Sequence, residues 1–130
     1  MKQRILLITG WGGGKNLLHS LQLALQQQGH QVELINIFNA FDQDVLEHKA
    51  EWARQFDVII GWSLGGQLAA LLVDQIEQQY AERKILITLA SNPCFVANDS
   101  WQTAMAQHTF QQFKQSFEQD AIATLKKFGY

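Results

Sequence analysis

A chain of 130 residues is one domain's worth of polypeptide, long enough for an independent core and too short for a second full domain. With 47% hydrophobic residues, 17% charged residues and a single proline, the composition is globular and excludes disordered or collagen-like chains. Ten basic against twelve acidic residues give a formal charge of −2 without any basic run, so neither a nucleic-acid footprint nor a membrane-surface patch is expected.

Arg4 to Ile8 holds the continuous apolar run Ile5-Leu6-Leu7-Ile8 ahead of a glycine cluster, the pattern of a strand buried on both faces. Leu17, Leu18, Leu21, Ala24 and Leu25 recur at helical spacing, with Gly29 placed to cap the last turn. Val32, Leu34, Ile35 and Ile37 form a second strand. Asp44 with Glu47 three residues on reads as a capping box for a second helix, whose buried stripe is Val45, Leu46, Trp52 and Ala53. Val58-Ile59-Ile60 is a third strand ending at Gly61. Leu68, Leu72 and Ile76 mark the inner face of a long helix to about Tyr80, and Ile85 to Leu89 is a fourth strand. Strands alternating with helices over short turns predict an α/β fold, a mostly parallel sheet with helices on both faces. After Ala90 the turn residues Ser91-Asn92-Pro93-Cys94 open a segment expected to be helical throughout. Its apolar face is Phe110, Phe113, Phe117, Ala121, Leu125 and Phe128.

Cys94 is the only cysteine, which excludes an internal disulfide and a cysteine-rich zinc cluster. No two histidines stand four residues apart and the carboxylates are scattered, so no metal and no cofactor are expected. The start Met1-Lys2-Gln3-Arg4 runs into a strand instead of a signal peptide, and no apolar stretch nears the roughly 20 residues that span a bilayer. A soluble cytoplasmic protein is the expectation.

Gly61-Trp62-Ser63-Leu64-Gly65 fits G-x-S-x-G and falls between a buried strand and a helix, where a nucleophile elbow lifts its serine above the sheet. Ser63 is the candidate nucleophile, and the Leu64 amide at the helix start is a candidate oxyanion donor. The alternative is a structural serine in a glycine-rich turn. Thr9-Gly10-Trp11-Gly12-Gly13-Gly14-Lys15 fails the phosphate-loop pattern at Thr9 and Asn16, and matches a dinucleotide fingerprint poorly because Lys15 stands where its third glycine belongs. In an elbow protein this loop supplies the second oxyanion donor, here the Trp11 amide. A serine nucleophile also needs a base and an acid. His19, His30 and His48 precede Ser63, while Asp99 and His108 follow it in the order required but fall in the helical segment, where surface roles are expected.

Three segments carry a resemblance: Gly10-Trp11-Gly12, Gly61-Trp62-Ser63-Leu64-Gly65-Gly66, and Ala90-Ser91-Asn92-Pro93-Cys94-Phe95. Together they resemble the bacterial pimeloyl-acyl-carrier-protein methyl ester esterases of biotin synthesis, an α/β-hydrolase family. The resemblance implies Ser63 as nucleophile, the Trp11 and Leu64 amides as oxyanion hole, and an apolar substrate pocket including Trp62, Phe95, Phe110 and Phe113. It also implies two parts, a hydrolase core over 1–90 and the start of a helical lid over 91–130. The substrate implied is a small acyl ester carried on acyl carrier protein. Thr9 stands where the family has histidine, and Lys114, Lys126 and Lys127 are the few basic residues available for an acidic carrier. The family continues through further strands bearing the acid and the histidine, so a truncated form or fragment of a longer esterase is expected. The competing expectations are a catalytically incomplete binding module, dimerising through its sheet edge or lid face, and a nucleotide-binding α/β protein.

Overall fold

The computed structural model describes residues 1–128 and divides into two compact units, the first running from Met1 to Ser91 and the second beginning at Asn92. In the first unit the order is β1 (Arg4–Ile8), α1 (His19–Gln27), β2 (Gln31–Ile35), α2 (Gln43–Ala53), β3 (Val58–Trp62), α3 (Leu64–Tyr80) and β4 (Ile85–Leu89). All strands are parallel, in the spatial order β2-β1-β3-β4. This is the α/β architecture that the alternation of apolar runs and helical stripes predicts.

Successive residues of a strand face opposite sides, and β1 divides its side chains accordingly. Leu6 and Ile8 join Ile59 in a core with Leu46, Ala50 and Ala53 of α2 and Leu68, Leu72 and Ile76 of α3. Ile5 and Leu7 join Val32, Leu34, Val58 and Ile60 on the other face, covered by Leu18, Leu21 and Leu25. The chain leaves β1 toward β2 on one side and returns to β3 on the other. The order of connection therefore reverses between β1 and β3, and their carboxyl ends flank the crevice where such sheets place ligands.

Several local expectations change. The N-cap of α2 is Asp42, whose carboxylate accepts the amides of Asp44 at 3.1 Å and Val45 at 3.3 Å. Asp44 already lies in the first turn, and Glu47 accepts instead from the Gln43 side-chain amide. The buried stripe of α2 is Leu46, Ala50 and Ala53; Trp52 is 37% exposed because Phe56, edge-on to it, takes the inner position. Ile37 lies beyond the end of β2. Every residue of β4 is exposed, although its sequence is as apolar as that of the buried strands.

The second unit contains α4 (Gln107–Gln119) and α5 (Ala121–Phe128), but its first part is not helical. Val96 bridges to Met105 and Asn98 to Trp101. Side-chain carbonyls compete successfully with helix formation there: Asn92 accepts the Cys94 amide, and Asn98 accepts those of Ser100 and Trp101. On α4, Phe110, Phe113 and Phe117 are half-buried, and the Phe113 and Phe117 rings stack with centroids 6.4 Å apart. The side chain of Phe128, the last of the expected stripe, lies outside the described residues. Among the described residues, no helix is long and apolar enough to cross a membrane.

Candidate active site

The register of the central strands builds the site. Ile8 is opposite Gly61, so the glycine loop after β1 and the turn after β3 emerge side by side. A Cβ on Gly10 would lie 2.7 Å from the Trp62 ring, and a Cβ on Gly65 would fall on the carbonyl oxygens of Ile8 and Thr9. Only glycine at position 65 lets the first turn of α3 settle against the end of β1, which is why the motif needs that residue there.

Ser63 sits between β3 and α3 at φ 56° and ψ −121°. For a residue with a side chain this is a sparsely populated conformation that costs about 1–3 kcal/mol and persists only where its surroundings hold it. They do so from β4: the Ser63 amide donates to the Leu89 carbonyl at 2.8 Å. The Ser63 hydroxyl caps no amide of α3, although serine is a common capping residue. Leu64 opens α3, and its amide belongs to the first turn, where backbone donors have no acceptor within the helix. The positive end of the α3 dipole thus lies beside the serine.

The glycine loop is held from below. Thr9 is fully buried, and its hydroxyl donates to the Gly14 carbonyl at 2.8 Å, closing the loop that carries the half-buried Trp11. Beyond Gly14 the chain enters a four-residue 3-10 helix, Lys15–Leu18, before α1. The loop therefore does not open directly onto the α-helix N-terminus that a dinucleotide fingerprint requires.

The structure thus brings Trp11, Trp62, Ser63 and Leu64 to one end of the sheet. Phe95, Phe110 and Phe113 belong to the second unit, where each is half-buried. Asp99 and His108 are exposed there. In the first unit His30 accepts the Gln3 amide at 3.0 Å, ahead of β1 and hence at the amino end of the sheet, while His48 is bonded to the Asp44 carbonyl. Sequence reasoning missed Ser91, which lies inside a recognised segment but reads there as turn chemistry.

Neither a family model nor a solved structure matches the chain. Curated proteins do. The biotin biosynthesis bifunctional protein BioHC of Teredinibacter turnerae is 32% identical over 95% of this chain and 25% of its own length. The pimeloyl-[acyl-carrier protein] methyl ester esterase of Aeromonas salmonicida is 31% identical over 95% of this chain and 51% of its own. That of Nitrosospira multiformis is 34% identical over 69% of this chain and 33% of its own. The chain spans about half the length of these single-function relatives or less, and a quarter of the bifunctional one. Along nearly its whole length, this chain resembles the pimeloyl-[acyl-carrier protein] methyl ester esterases of biotin biosynthesis.

Proposed function

We propose that this chain carries the nucleophile and oxyanion hole of a serine carboxylic-ester hydrolase acting on a methyl ester of an acyl chain borne on acyl carrier protein. The observation that carries the reading is the strained backbone of Ser63 between β3 and α3, with its hydroxyl left uncommitted to capping. The names of the relatives supply the substrate class.

In this reading the Ser63 Oγ attacks the ester carbonyl carbon while a general base takes its proton. The Leu64 and Trp11 amides receive the negative oxygen of the tetrahedral intermediate. Collapse breaks the bond to the methoxy group, which leaves as methanol with the proton from the base. Water, activated by the same base, then cleaves the acyl-enzyme and restores the serine. Among the described residues, Asp99 and His108 are exposed in the second unit, and no histidine and carboxylate are assigned as base and orienting acid. The resemblance offers Trp62 of the first unit, and Phe95, Phe110 and Phe113 of the second, as apolar side chains for the acyl chain. Lys114, Lys126 and Lys127 face the acidic carrier. No cofactor takes part.

The test is an active-site fluorophosphonate applied to the protein. A single adduct is expected on Ser63 and none in Ser63→Ala. Labelling that survives the substitution, or its absence from the unsubstituted protein, overturns the reading.

A second reading, a non-catalytic module that associates through its sheet edge, draws support from one observation. Ile85, Leu86, Ile87 and Leu89 of the outer strand β4 are 56, 39, 40 and 36% exposed.

A further inference from the structure

The exit of β4 grips both ends of the elbow serine. Leu89 accepts the Ser63 amide at 2.8 Å, and two residues later the Ser91 hydroxyl donates to the Ser63 carbonyl at 2.7 Å. Ala90 between them turns at φ 48°, in the left-handed region, which lets consecutive parts of one short segment reach the same residue. The Ser63 carbonyl also accepts the Gly66 amide at 2.9 Å, so both its lone pairs are used. Gly66 makes room for this arrangement: a Cβ there would lie 2.6 Å from the Ser91 Cβ and closer still to its hydroxyl oxygen.

The Ser63 carbonyl and the Leu64 amide are the two ends of a single peptide group. Because that group is planar, with C=O and N–H pointing in opposite directions, whatever fixes the oxygen fixes the direction of the hydrogen. A hydrogen bond accepted at the oxygen also polarises the group and strengthens its N–H as a donor. We propose that Ser91 is a positioning residue that, by donating its hydroxyl to the Ser63 carbonyl, aims the Leu64 amide into the oxyanion site. The inference rests on the esterase reading for its catalytic meaning, but its structural content concerns one peptide group and can be measured without turnover.

The experiment compares Ser91→Ala and Ser91→Thr with the unsubstituted whole protein, using a short-chain p-nitrophenyl ester and amide NMR. Losing one oxyanion donor outright costs about 10²–10³ in kcat, so misaiming one is expected to cost roughly tenfold, with KM within about twofold. In Ser91→Ala the Leu64 amide resonance should move and its hydrogen exchange quicken, while amides in the middle of α3 keep theirs. Ser91→Thr, which retains the hydroxyl, should restore both. If Ser91→Ala does not fold, Ser91→Cys, with its weaker donor, makes the same comparison. An unchanged kcat, an unmoved Leu64 amide, or equal loss of protection throughout α3 overturns the proposal, the last because it would mark Ser91 as ordinary packing. Absence of any reaction at Ser63 in the unsubstituted protein would sink the esterase reading instead. The Leu64 amide comparison would then still decide whether Ser91 orients this peptide.

Discussion

Thr9 shows how one buried polar side chain organises a loop. It follows four buried apolar residues of β1 and is itself fully buried, so its hydroxyl needs a partner; the Gly14 carbonyl is that partner. Replacing it by valine keeps the shape and removes the donor. Thr9→Val is expected to lower stability by about 1–2 kcal/mol, the hydrogen bond plus the abandoned carbonyl, and to quicken amide exchange across Gly10 to Gly14. Thr9→Ser should do neither to the same extent. Equal denaturation midpoints for Thr9→Val and the unsubstituted protein would show that the loop closes without this bond. The sequence marks Thr9 as a mismatch to the phosphate-loop pattern and as a departure from the histidine of the family it resembles, but not as a loop anchor, because nothing local says which of the following carbonyls its hydroxyl will meet.

At the scale of elements, the end of α2 is tied to the turn that enters β4. Arg54 reaches the Glu82 carboxylate at 2.6 Å and lies 4.0 Å from the centre of the Tyr80 ring, while Lys84 donates to the Arg54 carbonyl. The hydrogen bond from Arg54 is the largest effect on the Glu82 carboxyl and, with lesser help from the charges of Arg54 and Lys84, holds it below its ordinary value near 4.5 against the opposing effect of burial. A group whose pKa is lowered by folding stabilises the fold above its unfolded value and loses that contribution as pH falls through the folded one. The pair is solvent-accessible, so its effect on stability is small and weakened by salt. NMR titration should give a Glu82 midpoint below that of an ordinary glutamate, moving upward in Arg54→Gln. A midpoint indifferent to that substitution would mean the pair does not persist in solution. The helix and strand that this pair joins were both legible from apolar spacing. The Asp42 cap was not, since Asp42 and Asp44 are equally good capping types and only the backbone path selects between them.

Within these 130 residues the sheet presents an unusual edge. An outer strand with apolar side chains exposed on both faces offers unpaired backbone groups beside hydrophobic surface, the combination that natural sheets usually blunt with charge or cover. If the second reading holds, this 130-residue chain associates through β4. Sedimentation velocity should then show concentration-dependent dimers that Ile87→Lys disperses without loss of secondary structure. Monomers at all concentrations, or dimers indifferent to the substitution, would remove the edge as an association surface.

Apolar periodicity and glycine placement by themselves determined the four strands, the three helices between them, the parallel α/β class and the position of Ser63 between β3 and α3. These properties are set by residues close together in the chain: a strand or helix must cover its apolar face, and a sharp strand-to-helix turn needs small residues around it. Only the tertiary structure decided the rest. It put Ser91 against the Ser63 carbonyl, 28 residues away, and left β4 exposed while the equally apolar β1 and β3 were buried. The break in the expected continuous helix after Ala90 is, by contrast, local: Asn92 and Asn98 bond to amides two or three residues on, which apolar spacing does not register. A sequence pattern states that a side chain should be covered or bonded. Which partner meets it depends on strand order, register and the path of distant turns.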